Sequence, residues 1–399
     1  SQANRLDGAG RRPARPPELP PIPPPMPTLT FDSLRALRTQ ALGLVGDSAG
    51  LTTPREVVAH HLAMQAQDFS ASRWAIASRL PACTEAEVIA AYDRGELVRS
   101  WPMRGTVHVT LAEDMPWMLE LAGVRALSGV QRRWENLGID EPFLERARAV
   151  VIERLSGGGR ATRGEVVAWC EDAGLEMSGQ RTYHTVWYLS QTGTLVQGPL
   201  RDGDHELVLL NEWIRQPRQL ERDDALRELG RRYLRARGPA TEADLAHWTG
   251  LPLRDVRRAL APSQGDITSL DGPDATYHAL SAHLDTLSWD PAILTDTLLA
   301  LPAFDEHLLG YRTRDAVLDP AHATLVDPGR NGVFRWTLVA EGRVFATWGR
   351  KRLTRHTVAQ ISPFTPVDAA TQARTGDALQ RWATYAGTRV ELAWTAQAS

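Results

Sequence analysis

The chain has 399 residues and a formal net charge of −3, with 43% apolar and 23% charged residues, which suits two or three domains with real cores. That charge excludes nucleic-acid binding driven by overall charge, so any such contact needs a local basic surface. Its two cysteines, Cys83 and Cys170, cannot build a four-cysteine zinc site, an iron–sulfur cluster or a disulfide framework, and they point to a reducing cytoplasm.

The longest apolar stretches, such as Ile293 to Phe304, are interrupted by Thr295, Asp296 and Pro302, so no membrane span is expected. The start of the chain carries arginines and prolines without an apolar core segment, which is not the pattern of a secretory signal. Nearly all positive charge is arginine; Lys351 is the one lysine. The phosphate-binding G-x-x-x-x-G-K-[ST], the dinucleotide-binding G-x-G-x-x-G and the G-x-S-x-G of serine hydrolases do not occur, so ATP, NAD and serine-hydrolase chemistry have no support.

Residues 1–29 read as a proline- and arginine-rich tail. From Thr30 a pattern recurs three times. The first copy predicts a helix over Phe31–Leu44, then Thr53-Pro54-Arg55-Glu56; the second a helix over Pro142–Leu155, then Thr162-Arg163-Gly164-Glu165. The third predicts a helix over Ala225–Ala236, then Thr241-Glu242-Ala243-Asp244. Thr-x-x-Glu before an apolar run is a capping box, and Asp244 is expected to close its box less well.

Each copy then offers another helix, at Glu85–Arg94, Gln180–Gln191 and Leu253–Leu260, with an extra one near Ala71–Leu80 in the first. Each ends in a candidate hairpin, around Arg104-Gly105, Asp202-Gly203 and Asp271-Gly272. Helix, capped helix, helix, hairpin is the order of a winged helix. The fold class expected is therefore α+β, with three tandem winged-helix units over 30–123, 124–215 and 216–290. Residues 291–399 look strand-rich, with a hairpin at Glu341-Gly342, a helix near Ala369–Ala386 and a last strand Thr388–Trp394, and a small β-barrel or sheet with one helix is expected there.

Three segments in order resemble one family: Leu62-Ala63-Met64-Gln65-Ala66-Gln67-Asp68, Trp101-Pro102-Met103-Arg104-Gly105-Thr106-Val107-His108, and Leu301-Pro302-Ala303-Phe304-Asp305-Glu306-His307-Leu308-Leu309-Gly310-Tyr311. With Asn331-Gly332-Val333-Phe334 and Thr347-Trp348-Gly349-Arg350, they resemble the winged-helix DNA-binding family that includes the azinomycin-resistance DNA glycosylase. The resemblance runs from about residue 31 to 395. It implies three tandem winged helices in a C shape with a C-terminal β-barrel, and hydrolysis of the N-glycosidic bond of N7-alkylated purines, interstrand crosslinks included. It also implies a catalytic Gln-x-Gln, here Gln65-Ala66-Gln67, with alanine where a larger aliphatic residue is usual.

An amide is no general base at neutral pH, but it holds a water by donating and accepting, and its carbonyl dipole stabilises a sugar cation. A cationic N7-alkylpurine leaves without strong acid assistance, so orientation and electrostatics suffice. Without the resemblance, Gln65 and Gln67 read as capping or surface residues at a helix end, and Asp68 as the cap of the next helix. Arg104 and His108 on the first wing, and Arg350-Lys351-Arg352 beside Trp348, are candidate DNA contacts, with a half-buried strand histidine an equal reading of His108. Arg132-Arg133 beside Trp134, Arg254 and Arg257-Arg258 are further possible DNA contacts, each more often a solvated face. His60 and His61 point to different helix faces, and His278 and His283 lack a ligand pattern, so no metal is expected and no cofactor either. Asp305-Glu306 are expected to organise the C-terminal junction.

The function expected is a monofunctional DNA glycosylase acting as a monomer on damaged double-stranded DNA, without membrane association. The alternatives are a winged-helix transcriptional regulator without catalytic activity, which would normally dimerise on a palindrome, and a non-catalytic DNA-protection factor.

Overall fold

The computed structural model describes residues 28–46 and 50–395, and the expected tail lies outside them except for its last two residues. Three threonines start equivalent helices, Pro54–His61, Arg163–Asp172 and Glu242–Thr249. Thr53, Thr162 and Thr241 each accept from the backbone N–H three residues on, while Glu56, Glu165 and Asp244 accept from the threonine N–H. Asp244 corrects the expectation of a weaker box: its Oδ2 lies 3.0 Å from Thr241 N. A buried ion pair to Arg38 at 3.1 Å holds that carboxylate in place.

The order helix, capped helix, helix, hairpin recurs three times. The first copy has Phe31–Ala41, Pro54–His61 and Glu85–Asp93, with a short strand β1 (Ala63–Gln65) and the helix Phe69–Ala77 inserted, and ends in β2 (Leu97–Met103) and β3 (Thr106–Leu111). The second has Glu141–Leu155, Arg163–Asp172 and Gln180–Gln191, then β4 (Leu195–Arg201) and β5 (Asp204–Leu209). The third has Arg222–Arg237, Glu242–Thr249 and Leu253–Ala259, then β6 (Ile267–Asp271) and β7 (Thr276–Leu280).

Turn chemistry follows the sequence at two of these hairpins. Arg104-Gly105 and Asp202-Gly203 both place two successive residues at positive φ, as a two-residue turn matched to strand twist requires. The third hairpin has a four-residue loop, its strands within one residue of those the sequence predicts: they stop at Asp271 and resume at Thr276, with Gly272 N–H donating to Ala275 O.

The first two hairpins do not stand apart. They join in one five-stranded sheet of order β1-β3-β2-β4-β5, linked where Arg99 faces Gln197. In the third copy, the long helix and the helix Leu253–Ala259 approach so closely that a Cβ on Gly230 would lie 2.1 Å from Ala259 O.

The C-terminal sheet runs β12-β11-β10-β9-β8, from β8 (Leu298–Leu301), β9 (Trp336–Ala340), β10 (Arg343–Arg352), β11 (Thr357–Pro363) and β12 (Val390–Trp394). β12 is parallel to β11, and the helix Ala369–Tyr385 supplies the crossover such a pair needs. This is the expected sheet with one long helix, and its strand order is linear, with β12 and β8 at the ends. One apolar cluster joins Met64, Trp74, Tyr92 and Val109 to Trp336, Trp348 and Trp382, so this sheet packs on the first copy. A second joins Ala63, Met103 and Trp117 to Tyr233 and Trp248 of the third. β1 lies between these two cores.

Candidate active site

Gln65 ends β1, an edge strand paired antiparallel to β3 with Gln65 opposite His108. The pairing extends one residue further, because Ala66 N–H donates to Val107 O at 2.9 Å. Gln65 therefore lies on paired extended chain, and Gln67 follows in the bend between the strand and the helix Phe69–Ala77. Neither glutamine caps the helix Phe69–Ala77, whose N-cap Asp68 accepts from Ala71 N–H at 2.9 Å; Gln67 lies on the surface just before it. Gln67 is exposed, whereas Gln65 is buried and its Oε1 has no hydrogen-bond partner.

Three long-range contacts hold β1. Glu306 Oε1 accepts from Gln65 N–H at 3.1 Å. Arg237 grips Glu306 Oε2 through Nε and Nη2 at 2.9 and 2.8 Å. Its Nη1 and Nη2 also donate to the carbonyls of His61 and Ala63 at 2.9 and 2.8 Å. Between those carbonyls Leu62 adopts φ 66 and ψ −56, a strained γ-turn conformation for a side-chain-bearing residue. Arg237 thus holds the carbonyls of the residues on both sides of the strained one. Trp248 Nε1 completes the set, donating to Glu306 Oε2 at 3.1 Å.

The neighbouring acid makes a second buried junction. Asp305 pairs with Arg79 in fork geometry, at 2.9 and 3.0 Å, and Arg79 also donates to Leu42 O. Burial pushes the Asp305 carboxyl up, but the charge and hydrogen bonds of Arg79 outweigh it, and the carboxyl is held below its usual range. Asp305 and Glu306 therefore tie the C-terminal segment to the first and third copies, as expected.

Arg237, Trp248 and Leu62 were not singled out in the sequence. Arg237 looks there like any basic residue in the last turn of a helix, and no local signal separates it from its neighbours.

Of the two sequence readings of His108, its position favours the strand histidine turned into the protein. It is 0% exposed, and its Nδ1 donates to Thr106 O at 2.9 Å. Burial, reinforced by the nearby Arg104 charge, pushes its pKa down to about 3, so the ring is neutral. Arg104 sits exposed on the β2–β3 turn, its stem lying across Gly250, where an added Cβ would lie 2.9 Å from Arg104 Cγ. A cleft of about 450 Å³ opens there, lined by Arg104, Arg125, Tyr183, His184 and Trp187.

The basic triplet divides. Arg350 lies over Trp336, 3.6 Å from guanidinium to ring centroid, and donates to Ser70 Oγ at 3.3 Å. Lys351 and Arg352 are exposed on the hairpin leading to β11, and no ion pair involves them among the described residues. Arg257 and Arg258, by contrast, pair with Glu242 and Asp223. His60 and His61 contact the Ala41 and Leu42 carbonyls, and no group of three or more His, Cys, Asp or Glu is placed to hold a metal ion among the described residues. No helix described is long and apolar enough to cross a membrane.

The family model for the DNA glycosylase AlkZ-like proteins matches residues 58–385. An interstrand DNA cross-link repair glycosylase from Streptomyces sahachiroi is 25% identical over 308 residues, covering 73% of this chain and 81% of that protein. The solved structure of the Streptomyces sahachiroi DNA glycosylase AlkZ superposes with a TM-score of 0.75 at 22% identity, covering 92% of this chain and 100% of that one. The match begins within the capped helix before β1, runs through both buried acid–arginine junctions, and ends at the close of the long C-terminal helix, so this chain belongs to the AlkZ-like DNA glycosylase family.

Proposed function

We propose that this DNA glycosylase removes bulky N7-alkylated purines from double-stranded DNA, crosslinked lesions included, and acts as a monofunctional, monomeric enzyme in the cytoplasm. The observation that carries the reading is the Gln65-Ala66-Gln67 segment at the end of β1, anchored through the Gln65 N–H by a buried Glu306–Arg237 pair, with Gln67 exposed and the Gln65 side-chain Oε1 unpartnered. Gln65 orients the attacking water, and Gln67 presents an amide dipole to the sugar. The C1′–N9 bond breaks with its electron pair going to the cationic base, which leaves neutral. The water oxygen bonds to C1′, and the surplus proton goes to solvent.

The three recurring helix–hairpin units are read as winged helices over 30–123, 124–215 and 216–290, with Arg104 at the first wing and the exposed Lys351 and Arg352 on backbone phosphates. Supporting the phosphate role, neither residue is neutralised by a carboxylate, unlike Arg257 and Arg258.

The test is excision of an N7-alkylguanine from duplex DNA, read as abasic sites. Gln65→Ala and Gln67→Ala should each slow excision by roughly one to three orders of magnitude. DNA affinity should hold, since neither side chain is charged. Excision by Gln67→Ala at the parent rate would refute the assignment.

A further inference from the structure

On one face of the β1-β3-β2 sheet three polar atoms are buried without a hydrogen-bond partner among the described residues: Gln65 Oε1, His108 Nε2 and Ser100 Oγ. They form one row. Gln65 faces His108 across β1 and β3, and His108 faces Ser100 across β3 and β2, so all three side chains stand on the same face. His108 and Ser100 are fully buried, and Gln65 is 9% exposed. Gln67, exposed, follows two residues on, in the bend after β1.

A buried polar atom without a partner is costly, so three side by side on one face mark a site with a polar guest. Their hydrogen-bond character defines that guest. Thr106 O can only accept, so His108 Nδ1 carries the ring proton and Nε2 of the neutral ring is a lone pair. Gln65 Oε1 is likewise an acceptor, and Ser100 Oγ has a hydrogen to give. Two acceptors and one hydroxyl suit a molecule with two donors and an oxygen lone pair, which is water.

We propose that His108 is a catalytic residue of the glycosylase. Its Nε2 and Gln65 Oε1 accept the two hydrogens of the attacking water, Ser100 donates to one lone pair, and the remaining lone pair faces the sugar carbon. This rests on the placement of Gln65 and Gln67 at the reacting sugar. It explains how an amide site activates water without a carboxylate base. Both water hydrogens are drawn toward acceptors, one of them an imidazole, and the ring is locked in one tautomer by the backbone of its own strand.

The experiment uses single-turnover excision of N7-methylguanine from duplex DNA by the full chain. His108→Phe keeps a ring and removes the acceptor, and should slow excision about 100-fold with DNA affinity unchanged. His108→Gln restores a carbonyl acceptor and should recover about tenfold of that loss. The Gln65→Ala/His108→Gln double variant should be no slower than Gln65→Ala alone, because both groups act through one water. His108→Phe that melts like the parent and excises within about threefold of it overturns the proposal. If His108→Phe does not fold, the double variant decides: losses that multiply overturn the shared water, and losses that do not add support it. Parent-rate excision by Gln65→Ala would instead refute the underlying site, whereas an inactive Gln65→Ala beside fully active His108 variants refutes only the role of His108.

Discussion

Glu306 reaches across 241 residues of sequence to accept the backbone N–H of Gln65 at 3.1 Å. The bond places an acid of the C-terminal segment directly beneath the glutamine pair, and Arg237 neutralises it from the other side. A strained turn at Leu62 is held in the same clamp. The site is therefore stiffened from two directions before DNA arrives, which suits chemistry that depends on orientation.

Arg237→Met should be strongly destabilising. Both charges are buried, with side-chain exposures of 0% and 2%, and the variant leaves Glu306 without its counter-charge. A loss of about 3–5 kcal/mol in urea unfolding is expected. Retained stability in Arg237→Met would mean that the pair does not support β1.

Stability should respond to acid through Asp305. Its folded carboxyl is depressed, so the stabilisation is fully present above the unfolded value of about 3.9 and is lost as pH falls through the folded value. The stability gap between the parent and Asp305→Asn should be widest near neutrality and should shrink below about pH 4. A gap independent of pH would show that the charge on Asp305 contributes nothing.

Within the basic triplet, two kinds of behaviour are expected. Lys351→Ala and Arg352→Ala should weaken binding to any DNA sequence alike, each lowering the salt slope by about 1. Arg350→Ala should lower the melting temperature, since its guanidinium stacks on Trp336 and bonds Ser70. Sequence-dependent weakening by Lys351→Ala would indicate base readout in place of phosphate contact.

Strand nicking through a Schiff base needs an amine, and apart from an N-terminal amine Lys351 carries the one side-chain amine. It lies on the hairpin beyond Arg350, on the sheet that packs behind β1, flanked by arginines. Borohydride should therefore trap no protein–DNA adduct on lesion-bearing duplex, and the product strand should stay intact at the abasic site. An adduct that vanishes in Lys351→Ala would overturn the water mechanism.

What the sequence determined by itself was local. Thr53, Thr162 and Thr241 meet their partners three residues away, and Arg104-Gly105, Asp202-Gly203 and Glu341-Gly342 turn hairpins through conformations open chiefly to such pairs. Residues within four positions of one another carry these signals, so the thrice-repeated order of helices and hairpins was legible. The candidate Gln65-Ala66-Gln67 was legible only through its resemblance, because an amide pair has no charge or ligand pattern to mark it.

The tertiary structure alone decided that the first two hairpins share a sheet, that His108 is buried opposite Gln65, that Arg350 stacks on tryptophan while Lys351 stays free, and that Glu306 and Arg237 meet under β1. Each of these joins segments far apart in the chain. Strand pairing depends on which edges meet, and burial of a polar side chain depends on which faces close over it. No window of sequence around His108 distinguishes a ring turned toward solvent from one turned into a protein interior.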